Sequence, residues 1–165
     1  DRSGVAWISF AGSGHMASFD RRKCKVLNGP TATGQHCVEG WTFYEGPGPK
    51  MKGTRAGSDY FYMAWVDQFD TLGLGKDVPM TQGSNSDSLL ALMPRTGEWV
   101  SLRVPYPMGM FTRSHDGRID NPNTGWKGRA VWTTYATAAN WHIEGGVGQK
   151  SKAVKMQMRP SPLAK

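Results

Sequence analysis

The chain has 165 residues, a length typical of one globular domain. Charged residues make up 20% of it and aromatic residues 11%, a balance that argues against intrinsic disorder. Its 21 glycines and 10 prolines predict many turns, and therefore many short strands. No apolar run approaches the roughly 20 residues that a membrane-spanning helix needs, so we expect no membrane span.

Lysine and arginine outnumber aspartate and glutamate by 20 to 13, which gives a net charge of +7. The basic residues cluster over 21–25 and again over 150–165. Neither cluster follows a helical pattern or lies beside a known nucleic-acid-binding motif. The simpler interpretation is a solvated loop and a basic tail, so we do not expect nucleic acid as a partner.

Two cysteines, Cys24 and Cys37, flank a polar segment that is rich in glycine and turn residues. This pattern predicts a disulfide that closes the loop 21–38 and contributes roughly 3 kcal/mol in the chain-entropy model. A disulfide indicates an oxidising compartment, which means a periplasmic or secreted protein. Two alternatives stay open: free thiols, or a metal site formed with His15 and His36, although the spacing is not that of a common zinc site.

A weak internal repeat recurs along the chain as a turn followed by an apolar run that contains tryptophan. Trp7, Trp65 and Trp132 mark three such runs, and the spacing from Trp7 to Trp65 equals that from Trp41 to Trp99. Without its insertions the repeat is roughly 42 residues long, the length of a four-stranded propeller blade. We expect these five repeat-equivalent tryptophans to pack in the core.

The repeat predicts an all-β fold over 1–165, a partial β-propeller of about two to three four-stranded blades with long loop insertions. The insertions are the cysteine loop 21–38 and the segment 68–86, which we expect to be a loop. The stretch 109–118 provides the strand ahead of the Trp132 run, and it ends in Asp116-Gly117, a tight-turn signal.

The first repeat has only a turn, DRSG (1–4), ahead of its tryptophan run, so it lacks an opening strand. An uncovered sheet edge promotes aggregation, and native proteins avoid one. We therefore expect further polypeptide along the edge Val5–Phe10 and across the flanks of the terminal blades, from a larger chain or assembly. The alternative fold is an autonomous β-sandwich.

Several longer motifs carry a family resemblance. They are FDRRKCK (19–25), GPTATGQHC (29–37), EGWTFY (39–44), WVDQFDTLGLG (65–75), LRVPYPMG (102–109), GWKGRAVW (125–132), HIEGG (142–146) and MRPSPLAK (158–165). In these motifs the chain resembles the C-terminal part of bacterial virginiamycin B lyase-like (streptogramin lyase-like) proteins. The resemblance implies a β-propeller that is usually exported.

The resemblance also bears on activity. The antibiotic-cleaving lyases open a cyclic depsipeptide with a histidine base and Mg²⁺ held partly by glutamate. The runs WISF (7–10) and WTTY (132–135) lack the acidic residue found in the lyase repeats, so no catalytic residue carries over. We therefore expect a non-catalytic binding or scaffold segment with no cofactor of its own. The alternative is part of a metal-dependent carbon–oxygen lyase acting on a cyclic peptide or polysaccharide-like substrate, with Mg²⁺ or Ca²⁺ implied by resemblance alone.

Four residues are candidates for chemistry or ligand binding. His142 and Glu144 would share one face of a strand, where they could form a general base with a carboxylate partner. Trp126 and Trp141 lie outside the repeat positions, which makes them candidates for an exposed ligand-binding surface in a glycan-binding β-domain. The simpler interpretation of His142 and Glu144 is an exposed surface pair.

Asp116, Asp120 and Asn123 lie in one oxygen-rich segment, SHDGRIDNPNTG (114–125). Carboxylate and amide oxygens are the ligands that Ca²⁺ prefers. The spacing does not fit the EF-hand pattern. These three residues are therefore candidate metal ligands, and the alternative is a hairpin turn built from Asx residues.

Overall fold

The computed structural model describes residues 1–26, 36–105, 110–112, 114–119, 123, 129–135 and 152–157. These residues form an all-β structure, as the sequence predicts. Helical geometry within them is limited to the 3₁₀ turns Arg21–Lys23 and Val38–Gly40 and to Asn123.

Ten strands lie in the described residues. They are β1 (Ala6–Phe10), β2 (His15–Phe19), β3 (Trp41–Glu45), β4 (Ala64–Asp67), β5 (Val78–Gly83), β6 (Ser88–Met93), β7 (Glu98–Arg103), β8 (His115–Ile119), β9 (Arg129–Tyr135) and β10 (Lys152–Met156). They form three antiparallel sheets: the first sheet is β1–β2–β3, the second β4–β5–β6–β7 and the third β8–β9–β10. Within each sheet every strand pairs with the next one along the chain, and between sheets β4 contacts both β1 and β8. β1 has no pairing partner on its outer edge among the described strands.

The second sheet lies between the other two. Two neighbouring residues of its strand β5 show this, because one contacts the first sheet and the other contacts the segment ahead of the third sheet. The Thr81 hydroxyl lies 3.1 Å from the hydroxyl of Ser9 in the first sheet. The Gln82 side chain accepts a hydrogen bond from the backbone N–H of Thr112, three residues ahead of β8, at 3.0 Å. Successive side chains of a strand point to opposite faces, so both faces of the second sheet are covered.

Further contacts hold the first sheet to the second. Arg2 forms an ion pair with Asp77 at 2.8 Å, and its hydrogen bonds hold the pKa of that carboxyl below its usual value. The indole Nε1 of Trp99 on β7 donates to the carbonyl of Glu45 on β3 at 2.8 Å. The Ser9 hydroxyl donates to the carbonyl of Met63, directly before β4, at 2.9 Å.

The core lies mainly between the second and third sheets. Its fully buried members include Met80 on β5, Ala91 on β6 and Val131 on β9. Trp65 of β4 and Met156 of β10 are partly buried and pack against this cluster. Burial of this apolar surface stabilises the fold and fixes how the two sheets lie on each other.

The expectation that 68–86 forms a loop is wrong for its second half, since β5 (Val78–Gly83) lies there with every residue buried. Pro79 and Gly83 are poor strand formers, and burial on both faces removes the polar alternation that marks a strand in sequence. The sequence pattern therefore did not indicate a strand at 78–83, because β5 lies in the centre of the molecule with both faces buried.

This strand also corrects the repeat alignment. A four-residue turn joins β1 to β2 (11–14) and another joins β5 to β6 (84–87), so β1–β3 match β5–β7. Trp65 lies on β4, the strand ahead of that match, and the alignment of Trp7 with Trp65 is wrong. Trp41 and Trp99 do lie near the start of matching strands, β3 and β7.

The first half of 68–86 does form a loop, and Asp67 holds it in place. This fully buried carboxylate accepts hydrogen bonds from the backbone N–H groups of Phe69, Thr71 and Leu72 at 3.1, 2.7 and 3.3 Å. It also accepts one from the Thr71 hydroxyl at 2.9 Å. With four hydrogen bonds, the Asp67 carboxylate fixes the conformation of the loop. The same bonds occupy its oxygens, so it is not a candidate for binding a ligand.

Two expectations about the third sheet are wrong. Asp116 and Gly117 lie inside strand β8 and do not form a tight turn. Trp132, on β9, is 44% exposed and is therefore not a core residue. Gly117 occurs in a strand because its position faces the ring of Trp65 too closely for any side chain.

Candidate interaction surface

The predicted disulfide is confirmed: the sulfur atoms of Cys24 and Cys37 are bonded at 1.98 Å. The alternatives of free thiols and of a metal site that uses these cysteines are thereby wrong. Next to the bridge, the Glu39 carboxylate accepts a hydrogen bond from the backbone N–H of Lys25 at 2.7 Å, which lowers the pKa of Glu39. The loop therefore leaves and rejoins the first sheet at fixed points.

One face of the first sheet carries an unusual concentration of large apolar side chains. The strand register pairs Phe19 of β2 with Trp41 of β3. Because side chains alternate along a strand, Phe43 lies on the same face as Trp41. The members of this surface, called the aromatic face below, are Ile8, Phe10, Phe19, Trp41 and Phe43.

The rings of the aromatic face form one continuous cluster. Phe19 and Trp41 lie with ring centroids 4.8 Å apart, Trp41 and Phe43 are stacked at 6.1 Å, and Phe10 and Phe43 lie at 5.6 Å. Phe43 is nevertheless 59% exposed and Ile8 37%. Contiguous exposed apolar patches are uncommon on monomeric proteins and mark interaction sites.

The opposite face of the same sheet is covered. Met16 is fully buried there, Ser18 is 9% exposed, and Trp7 packs on Tyr44 with ring centroids 5.6 Å apart. Ser9, on this side, makes the hydrogen bonds to the second sheet. The first sheet therefore has one face on the second sheet. On its aromatic face Ile8 and Phe43 are exposed, and Ala17, which lies between them in the register, is buried.

The outer face of the third sheet has a different character. Trp132 lies between Asp116 of β8 and Lys155 of β10 in the strand register. All three side chains are exposed, and the Lys155 ammonium lies 5.6 Å from the centroid of the Trp132 ring. A cation over an indole is a favourable contact, so this face presents a single aromatic residue flanked by opposite charges.

The candidate metal ligands are only partly described. Asp116 is exposed on β8, Asn123 is also exposed, and Asp120 lies outside the described residues. Among the described residues, no group of three or more histidine, cysteine, aspartate or glutamate side chains could hold a metal ion. Asp116 therefore belongs to no such group in the part that the structure describes.

The remaining candidates, His142, Glu144, Trp126 and Trp141, lie outside the described residues, and their roles stay predictions. No helix of the described part is long and apolar enough to cross a membrane. His115, in the same oxygen-rich segment, is buried on β8: it is 6% exposed, and neither ring nitrogen has a hydrogen-bond partner among the described residues. Burial lowers the pKa of His115 to about 4.

The most extensive candidate site in the described structure is thus a surface, the aromatic face, and not a cluster of catalytic groups. Sequence alternation at Trp41 and Phe43 was a signal for it, but the strand pairing that adds Phe10 and Phe19 appears only in the fold. No protein-family model, curated protein or solved structure matches the chain.

Proposed function

We propose that the chain is a non-catalytic binding or scaffold segment of an exported, lyase-like β-propeller, and that its aromatic face packs against a further β-sheet. That sheet belongs to the same larger chain or to another member of an assembly. The observation that carries the proposal is the contrast between the two faces of the first sheet: Met16 is fully buried on one, while Phe43 is 59% exposed on the other.

The order of the sheets supports a propeller over a sandwich. Propeller blades are small antiparallel sheets that follow one another around a ring, so each blade has a neighbour on both faces. A sandwich has two layers, and neither sheet is covered on both sides. The second sheet of this chain has Ser9 against one face and Thr112 against the other, which is the environment of a blade.

The composition of the aromatic face supports a partner of similar chemistry. Burial of apolar surface stabilises by roughly 25 cal/mol per Å², and an aromatic residue carries an unusually large area. A partner sheet with its own apolar residues would cover Ile8 and Phe43 without leaving a charge unpaired. The unpaired edge of β1 borders this face and offers backbone hydrogen bonds to the same partner.

The Cys24–Cys37 disulfide supports the proposed periplasmic or secreted location. Disulfides form and persist in oxidising compartments and are rare in the cytosol. The resemblance to exported bacterial lyase-like proteins points the same way.

The test compares two exposed phenylalanines by substitution. Phe43, on the aromatic face, and Phe69, on the loop after β4, are 59% and 51% exposed. In sedimentation velocity, Phe43→Ser should weaken self-association of the isolated chain, because it removes apolar contact area. Phe69→Ser, the matched control, should leave association unchanged. Equal effects of the two substitutions would refute the assignment of the aromatic face.

A further inference from the structure

A cavity of about 380 Å³ opens between β7, an edge strand of the second sheet, and β10, an edge strand of the third. Its apolar walls include Leu89 and Leu102 from the second sheet and Val154 and Met156 from the third. Leu89 belongs to the core between these sheets, and Leu102 and Met156 pack against that core, so the cavity continues it outwards. A volume of this size lies in the range of ligand sites.

The cavity runs along the edges of both strands. It touches the consecutive residues 102–105, at the end of β7, and 154–157, at the end of β10. Neighbouring side chains of a strand point to opposite faces, so a space that meets every residue in turn lies beside the strand edge. Lys155 supports this, because it lines the cavity although its ammonium lies over Trp132, on the outer face of the third sheet. Among the described strands, neither edge has a pairing partner.

These edges favour a peptide over a small molecule. An open edge presents backbone N–H and C=O groups to a further strand. A small apolar molecule would fill the space without bonding to those groups, whereas an extended peptide pairs with the edge and places every second side chain in the space beside it. The third sheet has three described strands and the second has four, so a strand added to β10 would occupy the cavity and face Leu102.

The charges around the cavity favour an acidic peptide. Arg103 and Lys155 are the charged residues of its described lining, and both are exposed. In the described part of the chain, neither forms an ion pair with a carboxylate. Lys155 lies on the outer face of β10, where the residue opposite it on an added strand would be its neighbour, and an opposite charge at that position is favourable.

We infer that this cavity binds an extended peptide that pairs with the edge of β10, places alternate apolar side chains against Leu89 and Leu102, and carries acidic residues on its outer face. The site is separate from the aromatic face, which lies on the first sheet. Binding here therefore does not depend on what covers that face.

The test is a titration of the 165-residue chain into a labelled peptide, Thr-Val-Glu-Val-Glu-Leu-Thr with blocked ends, followed by fluorescence anisotropy. In a strand, its valines and leucine share one face and its glutamates the other. Two control peptides are Thr-Glu-Val-Val-Leu-Glu-Thr, which keeps the composition and loses the alternation, and Thr-Val-Lys-Val-Lys-Leu-Thr, which reverses the charge. We expect saturable binding of the first peptide and roughly tenfold weaker binding of both controls.

Val154→Phe tests the cavity itself. The larger side chain fills part of the space and should weaken peptide binding roughly tenfold or more. The matched control is Ala153→Phe, which adds the same ring one residue earlier on β10, at an exposed position outside the described lining. This control should leave binding unchanged.

Lys155→Glu tests the charge and does not depend on how Val154→Phe folds, because Lys155 is exposed. It should weaken binding roughly threefold or more at low salt. Lys52→Glu, at an exposed lysine between β3 and β4, is the control and should have no effect. A calorimetric titration with hexanoate, a small apolar anion, forms a separate arm in which we expect no saturable binding.

Four results would overturn the inference. They are the absence of saturable binding of the first peptide, equal binding of either control peptide, equal effects of a substitution and its matched control, and saturable binding of hexanoate in place of the peptide.

Discussion

Gly117 on β8 lies directly against the indole of Trp65 on β4: a Cβ placed on Gly117 would sit 2.5 Å from Cη2 of Trp65. The same Cβ would lie 3.2 Å from a methyl carbon of Val131 on β9. The third sheet can therefore approach the second this closely only because Gly117 has no side chain. Trp65 fills the space that a side chain at position 117 would otherwise occupy.

This contact predicts the effect of Gly117→Ala. The added methyl group overpacks the interface between the two sheets, and we expect a loss of about 1–3 kcal/mol in the free energy of unfolding. The measurement is a denaturant unfolding curve. Gly12→Ala is the control, because nothing lies within 4 Å of a Cβ at Gly12. If both substitutions have the same effect, the close packing of Gly117 on Trp65 is contradicted.

The structure at Gly117 could not be predicted from the local sequence. An Asp-Gly pair predicts a tight turn from local preference, yet Asp116 and Gly117 lie in a strand. The reason is the ring of Trp65, which is 52 positions away in sequence and invisible to any local pattern. The buried strand β5 escaped prediction for a related reason, since both of its faces meet other sheets and Pro79 interrupts its pattern.

His115, two residues before Gly117, predicts a pH dependence of stability. Burial lowers its pKa from 6.5 to about 4 in the folded protein. Between these values the unfolded chain binds a proton that the folded chain does not, so stability falls as the pH is lowered. Because each pKa unit corresponds to about 1.4 kcal/mol, the loss from this group amounts to roughly 3 kcal/mol and levels off below about pH 4.

The measurement is the free energy of unfolding across this pH range for the native chain and for His115→Leu. Carboxylates titrate in both proteins, so the difference between the two curves isolates the histidine. We expect the native chain to lose roughly 3 kcal/mol more than the variant between pH 7 and pH 4. Parallel curves would show that His115 is accessible to solvent and protons in the folded state.

The Cys24–Cys37 bond predicts a second stability effect. Closing a loop of this size restricts the unfolded chain, and in the chain-entropy model it contributes roughly 3 kcal/mol. In chemical denaturation, the double variant Cys24→Ser, Cys37→Ser should have a free energy of unfolding that is lower by roughly 3 kcal/mol. The native chain in reductant should approach the stability of the variant, whereas reductant should not change the variant itself. A native chain that is insensitive to full reduction would contradict the expected contribution.

The disulfide could be predicted from sequence, because two cysteines on either side of a polar, glycine-rich segment have few other uses. The aromatic face was harder to predict. Trp41 recurs in the repeat and was expected in the core, but recurrence does not tell which face of a strand is covered. That assignment depends on the neighbouring sheet, and Phe19 and Trp41 meet only because β2 pairs with β3.

The claim that the aromatic face binds further polypeptide is tested most directly by the molar mass of the isolated 165-residue chain, measured by light scattering over a wide range of concentrations. We predict a mass that exceeds 18.2 kDa and rises with concentration, because exposed Phe43 and Ile8 are buried by association. A mass that stays at 18.2 kDa at every concentration, in a chain that unfolds in one cooperative transition, would contradict the account and favour an autonomous β-sandwich.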